Sequence, residues 1–348
     1  MTLQYTVAPA SALTSELSDE VSAVESDDPG ESLIDEPADS PAERRQAPVS
    51  AALHGSRLDK ALVSMAGEFS RNYLQALVEA GHVWIDGRTQ TSASRKVLAG
   101  QVITVELTPT QECRAFRAEP MLLDIVFEDE HLIVVDKPAG LVVHPAAGNW
   151  SGTLLNGLLA HHAGACTLPR AGIVHRLDKD TSGLMVVGKT LVAVTALVRQ
   201  IASRDVRRVY VAVCHGRFDH HILRIEAPIG RDPRSRVRMA VASSGRSART
   251  DVERLALLEG PTGEWLSAVR CSLHTGRTHQ IRVHLASVGH PLLADKTYGG
   301  REGFGMTRQA LHATRLGFEH PVDGRPMAFE RDPPADLASV WGLIAGAD

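Results

Sequence analysis

The sequence predicts an α+β protein: a large mixed or antiparallel sheet interleaved with helices, preceded by a small α/β module and a polar tail. Three observations carry this. Short runs of β-branched and aliphatic residues recur through the C-terminal two thirds, separated by Gly, Pro and acidic turns. Helical spacings interrupt them without the strict strand–helix alternation of a parallel α/β sheet. The first fifty residues show neither pattern.

The 348 residues leave room for one sizeable domain and a smaller one, and 43% apolar content is ordinary for a protein with a real core. Residues 1–50 are rich in Ser, Ala, Asp, Glu and Pro. Such a composition buries too little apolar surface to offset ordering entropy, so this tail is expected to be disordered. It holds eleven acidic residues against Arg44 and Arg45, a charge of −9; with −4 for the whole chain, the other 298 residues carry +5. A mildly basic body with an acidic appendage suits a nucleic-acid binder, and a tail kept only for solubility fits equally.

The four cysteines (Cys113, Cys166, Cys214, Cys271) form no Cys-x-x-Cys, so neither a zinc knuckle nor a disulfide framework is indicated. They read as thiols of a reducing cytosol. No secretory leader pattern and no bilayer-length apolar stretch is present, so a soluble cytoplasmic protein is expected.

Residues 55–108 read as a module of their own. Leu58, Leu62 and Met65 share one helical face. Ser70 is placed as N-cap of a second helix, with Leu74, Leu77 and Val78 inward and Gly81 at C′. Val83-Trp84-Ile85, an Asp86-Gly87 turn and a returning strand at 101–105 complete it. Arg57, Lys60, Arg71, Arg88, Arg95 and Lys96 crowd this stretch. Alone, they describe a solvated face at least as well as an RNA site.

After a linker at about 108–119, residues 120–340 form the main domain. Segments 122–127 and 132–135 read as strands, 136–140 as a turn and 141–143 as a further strand. Residues 153–162 look helical, as do 191–203, where Leu191, Val194, Leu197 and Ile201 lie at helical spacing. Strands at 209–213 and 267–273 follow, then a helix at 278–288 closed by Gly289. There is no internal repeat and no Gly-rich phosphate loop; Gly299-Gly300 reads as a turn.

The densest chemistry lies in Ala171–Thr190, AGIVHRLDKDTSGLMVVGKT. A polar knot from His175 to Ser182 precedes an apolar run, so it reads as a loop at the edge of a buried strand, where functional side chains are displayed. By spacing alone, Asp178 two residues after Arg176 is either half of a structural ion pair or a catalytic acid held by one.

HRLDKDTSGLMVVGKT is similar to the signature loop of the RluA-type pseudouridine synthases. DKPAGLVVHP, RRVYVAVCHG, LHTGRTHQIRVHLA, GHPLLADKTYGG and LHATRLGFEHP follow the same family's blocks in order over about two thirds of the chain. RLDKAL and VEAGHVWIDGR in the small module resemble the S4 RNA-binding domain, which favours RNA for Arg57, Lys60, Arg71 and Arg88.

The resemblance implies isomerisation of uridine to pseudouridine: the N1–C1′ bond is cleaved, the uracil turns, and C5 joins C1′. Nothing is oxidised or phosphorylated, so no cofactor and no metal is expected. The resemblance makes Asp178 the nucleophile. It makes Arg277 the guanidinium partner that favours the charged carboxylate. Tyr210 becomes the ring against the uracil and a candidate for the final proton transfer. It places Arg176 in the space left by a flipped base, where a planar cation can stack. Whether the aspartate attacks C1′, attacks the base or takes the 2′ proton stays open. His175, His279 and His284 lack ligand spacing and are expected to be structural. The implied partner is 23S ribosomal RNA in the large-subunit precursor, with the helix 69 hairpin as the target suggested by GLVVHPAAGN, and the implied state is a monomer.

Three other readings compete. The same chemistry at other 23S sites or on other RNA keeps the enzyme and changes the target. A haloacid-dehalogenase-like phosphatase would use Asp178-x-Asp180, but His175-Arg176 separate that pair from the preceding apolar strand and Ser182 occupies its fifth position. A non-catalytic RNA-binding assembly factor is disfavoured because Asp178, Tyr210 and Arg277 are all present.

Overall fold

A computed structural model describes residues 43–345 apart from 68, 70, 108–116, 146–148, 236–237 and 262. Ser70, most of the linker, Cys113 and most of the tail therefore lie outside the described residues.

The small module is a four-stranded antiparallel sheet, ordered β1 (Glu43–Pro48), β4 (Val102–Leu107), β2 (Val83–Ile85), β3 (Arg88–Thr89). Two helices, α1 (Leu58–Met65) and α2 (Arg71–Glu79), cover it. Alternation in β4 puts Ile103, Val105 and Leu107 inward, where they meet Leu58, Leu62, Leu74 and Val78. The β2–β3 turn has positive φ at both Asp86 and Gly87, the backbone an Asp-Gly hairpin turn requires.

Strand β1 corrects the sequence reading. Residues 43–48 fall in the stretch whose composition predicts disorder, yet they pair with β4 from Glu43↔Leu107 to Pro48↔Val102. Composition misses this because ERRQAP has no apolar alternation to bury; the strand is held by backbone pairing to β4. Arg45 then reaches back, donating to the Met65 carbonyl at 3.2 Å and, in the main domain, to Thr195 Oγ1 at 2.9 Å.

The main domain is a nine-stranded mixed sheet. Its order is β5 (Ile125–Glu128), β6 (Leu132–Lys137), β7 (Ser182–Gly188), β14 (Leu311–Glu319), β8 (Arg207–His215), β13 (Trp265–Leu273), β12 (Arg249–Glu259) and β9 (Ile222–Glu226). β15 (Pro326–Glu330) pairs with the far half of β14, and β10 (Ile229–Arg231) and β11 (Met239–Val241) form a separate hairpin. Every pairing in the large sheet is antiparallel except β7 with β14. Its α-helices among the described residues are α3 (Leu154–His161), α4 (Leu191–Ser203), α5 (Gln280–Ser287) and α6 (Ala335–Ala345). The α+β reading and its mixed sheet hold.

Residues 141–143 form no strand, contrary to expectation. Their carbonyls are already taken: Leu141 O accepts from Lys137 Nζ, and Val142 O and Val143 O accept from the first amides of α3. A segment spent on capping a helix has no acceptors left for a ladder.

Candidate active site

Asp178 sits in the turn that feeds β7, and the turn is fixed through its backbone. Lys137, 1% exposed, ends β6 and donates its ammonium to the carbonyls of Pro138, Leu141 and Lys179 at 2.7–2.9 Å. Burial pulls this lysine down to about 8, while the charges of Asp180 and Asp178 oppose the shift. Arg308 holds the Asp180 carbonyl at 2.9 Å, and His312 Nδ1 lies 2.9 Å from Ser182 Oγ. At Gly183 the parallel β14 passes so close that a Cβ would stand 2.4 Å from the Ala313 carbonyl, and its φ of +118° also demands glycine. The loop is therefore locked by its main chain, which leaves the Asp178 side chain for the cleft.

That cleft encloses about 440 Å³. Asp178, 17% exposed at its side chain, is the only carboxylate on its wall among the described residues. Arginines 170, 176, 204, 208, 277 and 282 surround it. Asp180 does not line the cleft, so the pair a phosphatase would need is not presented together.

The guanidinium against Asp178 is Arg282, not Arg277. Arg282 Nη1 donates to Asp178 Oδ2 at 3.1 Å, while its Nε and Nη2 grip the buried Asp295 at 2.7 and 2.8 Å. Its guanidinium also lies 5.0 Å above the Tyr298 ring. Burial alone would lower the Arg282 pKa, but the hydrogen bonds and charges of Asp295 and Asp178 outweigh it. Both arginines belong to TGRTHQIR, and only the helix separates them. Arg277 precedes α5 in a loop that Gln280 ties down by accepting from Thr275 Oγ1 and the Arg277 amide. Arg282 lies in the first turn of α5, which brings it to Asp178. Arg277 itself donates to the Ser247 carbonyl at 3.1 Å; burial, then the charges of Arg246 and Arg204, push its pKa below the ordinary value.

Tyr210 projects from β8 into the cleft, 6% exposed, and burial pushes its phenol up to about 12. A phenol this reluctant to ionise is neutral at pH 7, which suits a ring contact or a donor better than a base. Arg176 is exposed at the cleft and forms no ion pair among the described residues, so the alternative of a salt bridge with Asp180 is not formed. His175 accepts the Val186 N–H at Nε2, His279 Nδ1 meets Tyr298 Oη, and His284 bridges Thr250 Oγ1 and the Ala227 carbonyl. His175 and His284 thus serve the scaffold, whereas His279 also lines the cleft, with Nε2 3.9 Å from Asp178 Oδ1; among the described residues no cluster of three or more His, Cys, Asp or Glu could hold a metal. Sequence reasoning passed over Lys137, Arg208, Asp295 and Tyr298, although DKPAG, RRVY and ADKTY were in view.

In the small module, Arg57 and Arg71 are half-exposed but both are tied to Asp59, whose side chain is fully buried and also accepts from Gln75. Lys60 and Arg88 are exposed.

Comparison with known proteins gives the same outline. Residues 131–287 match the family described as RNA pseudouridylate synthase, and residues 56–103 match the S4 domain. The chain is 49% identical over 312 residues to ribosomal large subunit pseudouridine synthase D of Neisseria meningitidis serogroup B, covering 85% of this chain and 81% of that protein. It is 46% identical to the protein of the same name from Nitrosomonas europaea, over 84% of this chain and 85% of the other. An RNA pseudouridine synthase of Bacillus subtilis, YlyB, is 44% identical over 82% of this chain and 92% of its own length.

Proposed function

The chain belongs to the RNA pseudouridylate synthase family, and from that premise we propose that it isomerises uridines of 23S ribosomal RNA, with Asp178 as the reacting carboxylate. The single observation that carries the residue assignment is the cleft itself: one carboxylate among six arginines. A polyanion is drawn to such a wall, and the lone anion on it is the group left to face the sugar and base. The relatives named for the large ribosomal subunit support that RNA as the target, and the helix 69 hairpin is the site proposed within it.

In this reading the target uridine is flipped out of its stack into the cleft, and Arg176 takes its place. Arg282 holds Asp178 in one orientation and is itself immobilised by Asp295. The N1–C1′ bond breaks, the uracil turns against the Tyr210 ring, C5 bonds to C1′, and the proton lost from C5 is balanced by one gained at N1. The protein acts in the cytoplasm as a monomer on the large-subunit precursor, with residues 55–108 adding RNA contacts to those of residues 120–340.

Asp178→Asn tests the assignment. The variant keeps the shape and loses the charge, so pseudouridine formation on a 23S fragment should fall to background while RNA affinity and melting temperature stay near wild type. Wild-type protein should convert the same fragment in excess EDTA, provided the RNA folds without Mg²⁺. Turnover by a well-folded Asp178→Asn protein would remove Asp178 from its role. Pseudouridine mapping in a strain lacking the gene checks the target: loss outside helix 69 alone would reassign the site.

A further inference from the structure

Among the described residues, one buried charged side chain of the cleft has no partner. Arg208 lies on β8 two residues before Tyr210, so both side chains leave the same face of the strand. It is 7% exposed, yet its side chain makes no hydrogen bond or ion pair among the described residues, and its Nε is buried with no acceptor. The space around it is kept open at Gly276, where a Cβ would come within 2.7 Å of Arg208 Nη1. It lines the cleft together with His175 and Tyr210, and its charge disfavours a proton on either. Asp178, the one carboxylate on the wall, is committed to Arg282.

An isolated buried guanidinium is costly unless an anion meets it, and removing its charge from a folded protein is normally neutral or stabilising. Every other buried cation of the site is satisfied: Lys137 by three carbonyls, Arg282 by two carboxylates. Arg208 is the exception, and it faces the space that the substrate would enter.

We propose that Arg208 is a phosphate-binding residue that takes one of the two phosphodiesters flanking the flipped uridine. This rests on the cleft being the RNA site. The charge fits because a phosphodiester is the anion every nucleotide brings, and a guanidinium fork matches its two free oxygens. The depth fits because only an everted nucleotide carries its backbone so far in. The contact positions the sugar: with the phosphate fixed below and Asp178 held by Arg282, the C1′ region lies between two anchored groups.

The test uses RNA hairpins in which a single methylphosphonate neutralises the linkage 5′ or 3′ of the target uridine, with binding and turnover measured separately. One of the two neutral linkages should weaken wild-type binding about ten- to a hundredfold, the range for a hydrogen bond to a charged group. Arg208→Met should lose the same factor on unmodified RNA and nothing further on that methylphosphonate. Its plot of log affinity against log salt should also be shallower by about 0.7, one phosphate contact on a single strand. The variant should melt no lower than wild type, since it removes an unpaired charge. Indifference of wild type to both neutral linkages would overturn the proposal, and this outcome needs no variant. So would losses that simply add, or a marked drop in melting temperature, which would make Arg208 structural. If the unmodified hairpin is bound but never converted, the enzymatic reading fails while the coupling still decides the phosphate contact.

Discussion

The small module and the cleft are built from the same residue types and use them in opposite ways. In the module, Asp59 is fully buried and receives Arg57, Arg71 and Gln75 together. Those donors, with Arg57 leading, hold its carboxyl well below the usual range despite burial. In the cleft, Asp178 receives a single donor, and that donor is shared with Asp295. The module's carboxylate is saturated and orients two arginines toward solvent. The cleft's carboxylate is left with free lone pairs beside cations that lack partners. Saturation marks a scaffold; unspent capacity marks a site.

Acidification should separate the two regions most strongly. Burial holds His175 down to about 3, and His144 and His312 down to about 4, all in or beside the loop that carries Asp178. Their folded pKa values lie below the unfolded value near 6.5, so the unfolded chain takes up protons first as pH falls. Stability is full above about pH 6.5 and drains toward pH 4, by up to about 1.4 kcal/mol per pH unit for each histidine. Asp59 behaves differently: its lowered pKa contributes stability that is retained until pH drops below the ordinary carboxylate value near 4. Urea unfolding followed by limited proteolysis, with fragments assigned by mass, should show the main domain yielding first between pH 6 and 4.5. If the module yields first in that window, the contrast is wrong.

Asp59→Asn and Asp178→Asn form the second contrast. The first should lower stability by about 1–3 kcal/mol, since a buried charge-assisted cluster is broken but its arginines still reach water. The second should scarcely move stability while abolishing turnover. Equal melting losses in the two variants would mean that Asp178 is as structural as Asp59.

Much of this was legible in the sequence, for identifiable reasons. The helix expected at about 191–203 is present because its apolar spacing is unbroken, and Thr190 caps it at Ala193 N. Asp178, Tyr210 and the cleft arginines stand in motifs whose local order survives in the fold. What escaped depends on contacts distant in sequence. Strand β1 is defined by its partner sixty residues away, not by its own pattern. Arg282 and Arg277 sit in one block, and only the start of α5 at Gln280, after His279 in a left-handed conformation, decides which reaches Asp178. Arg208 carries no sequence signal beyond being charged inside a strand, which is itself the anomaly that could have flagged it.

The last contrast lies within the cleft and has the smallest expected effect. If Arg282 alone holds Asp178, Arg277 serves the RNA from the rim, beside Arg204 and Arg246 with no carboxylate among them. Arg277→Ala should then raise KM several-fold, with kcat for bound RNA changed less than about threefold, because a phosphate contact acts on binding before the chemistry. Raising the salt should narrow the difference between variant and wild type, since the lost contact is one that salt screens anyway. A collapse of kcat at unchanged KM would restore Arg277 as the partner of Asp178 during the reaction. It would also mean that the hydrogen bond from Arg282 belongs to the resting cleft alone, to be exchanged when RNA enters.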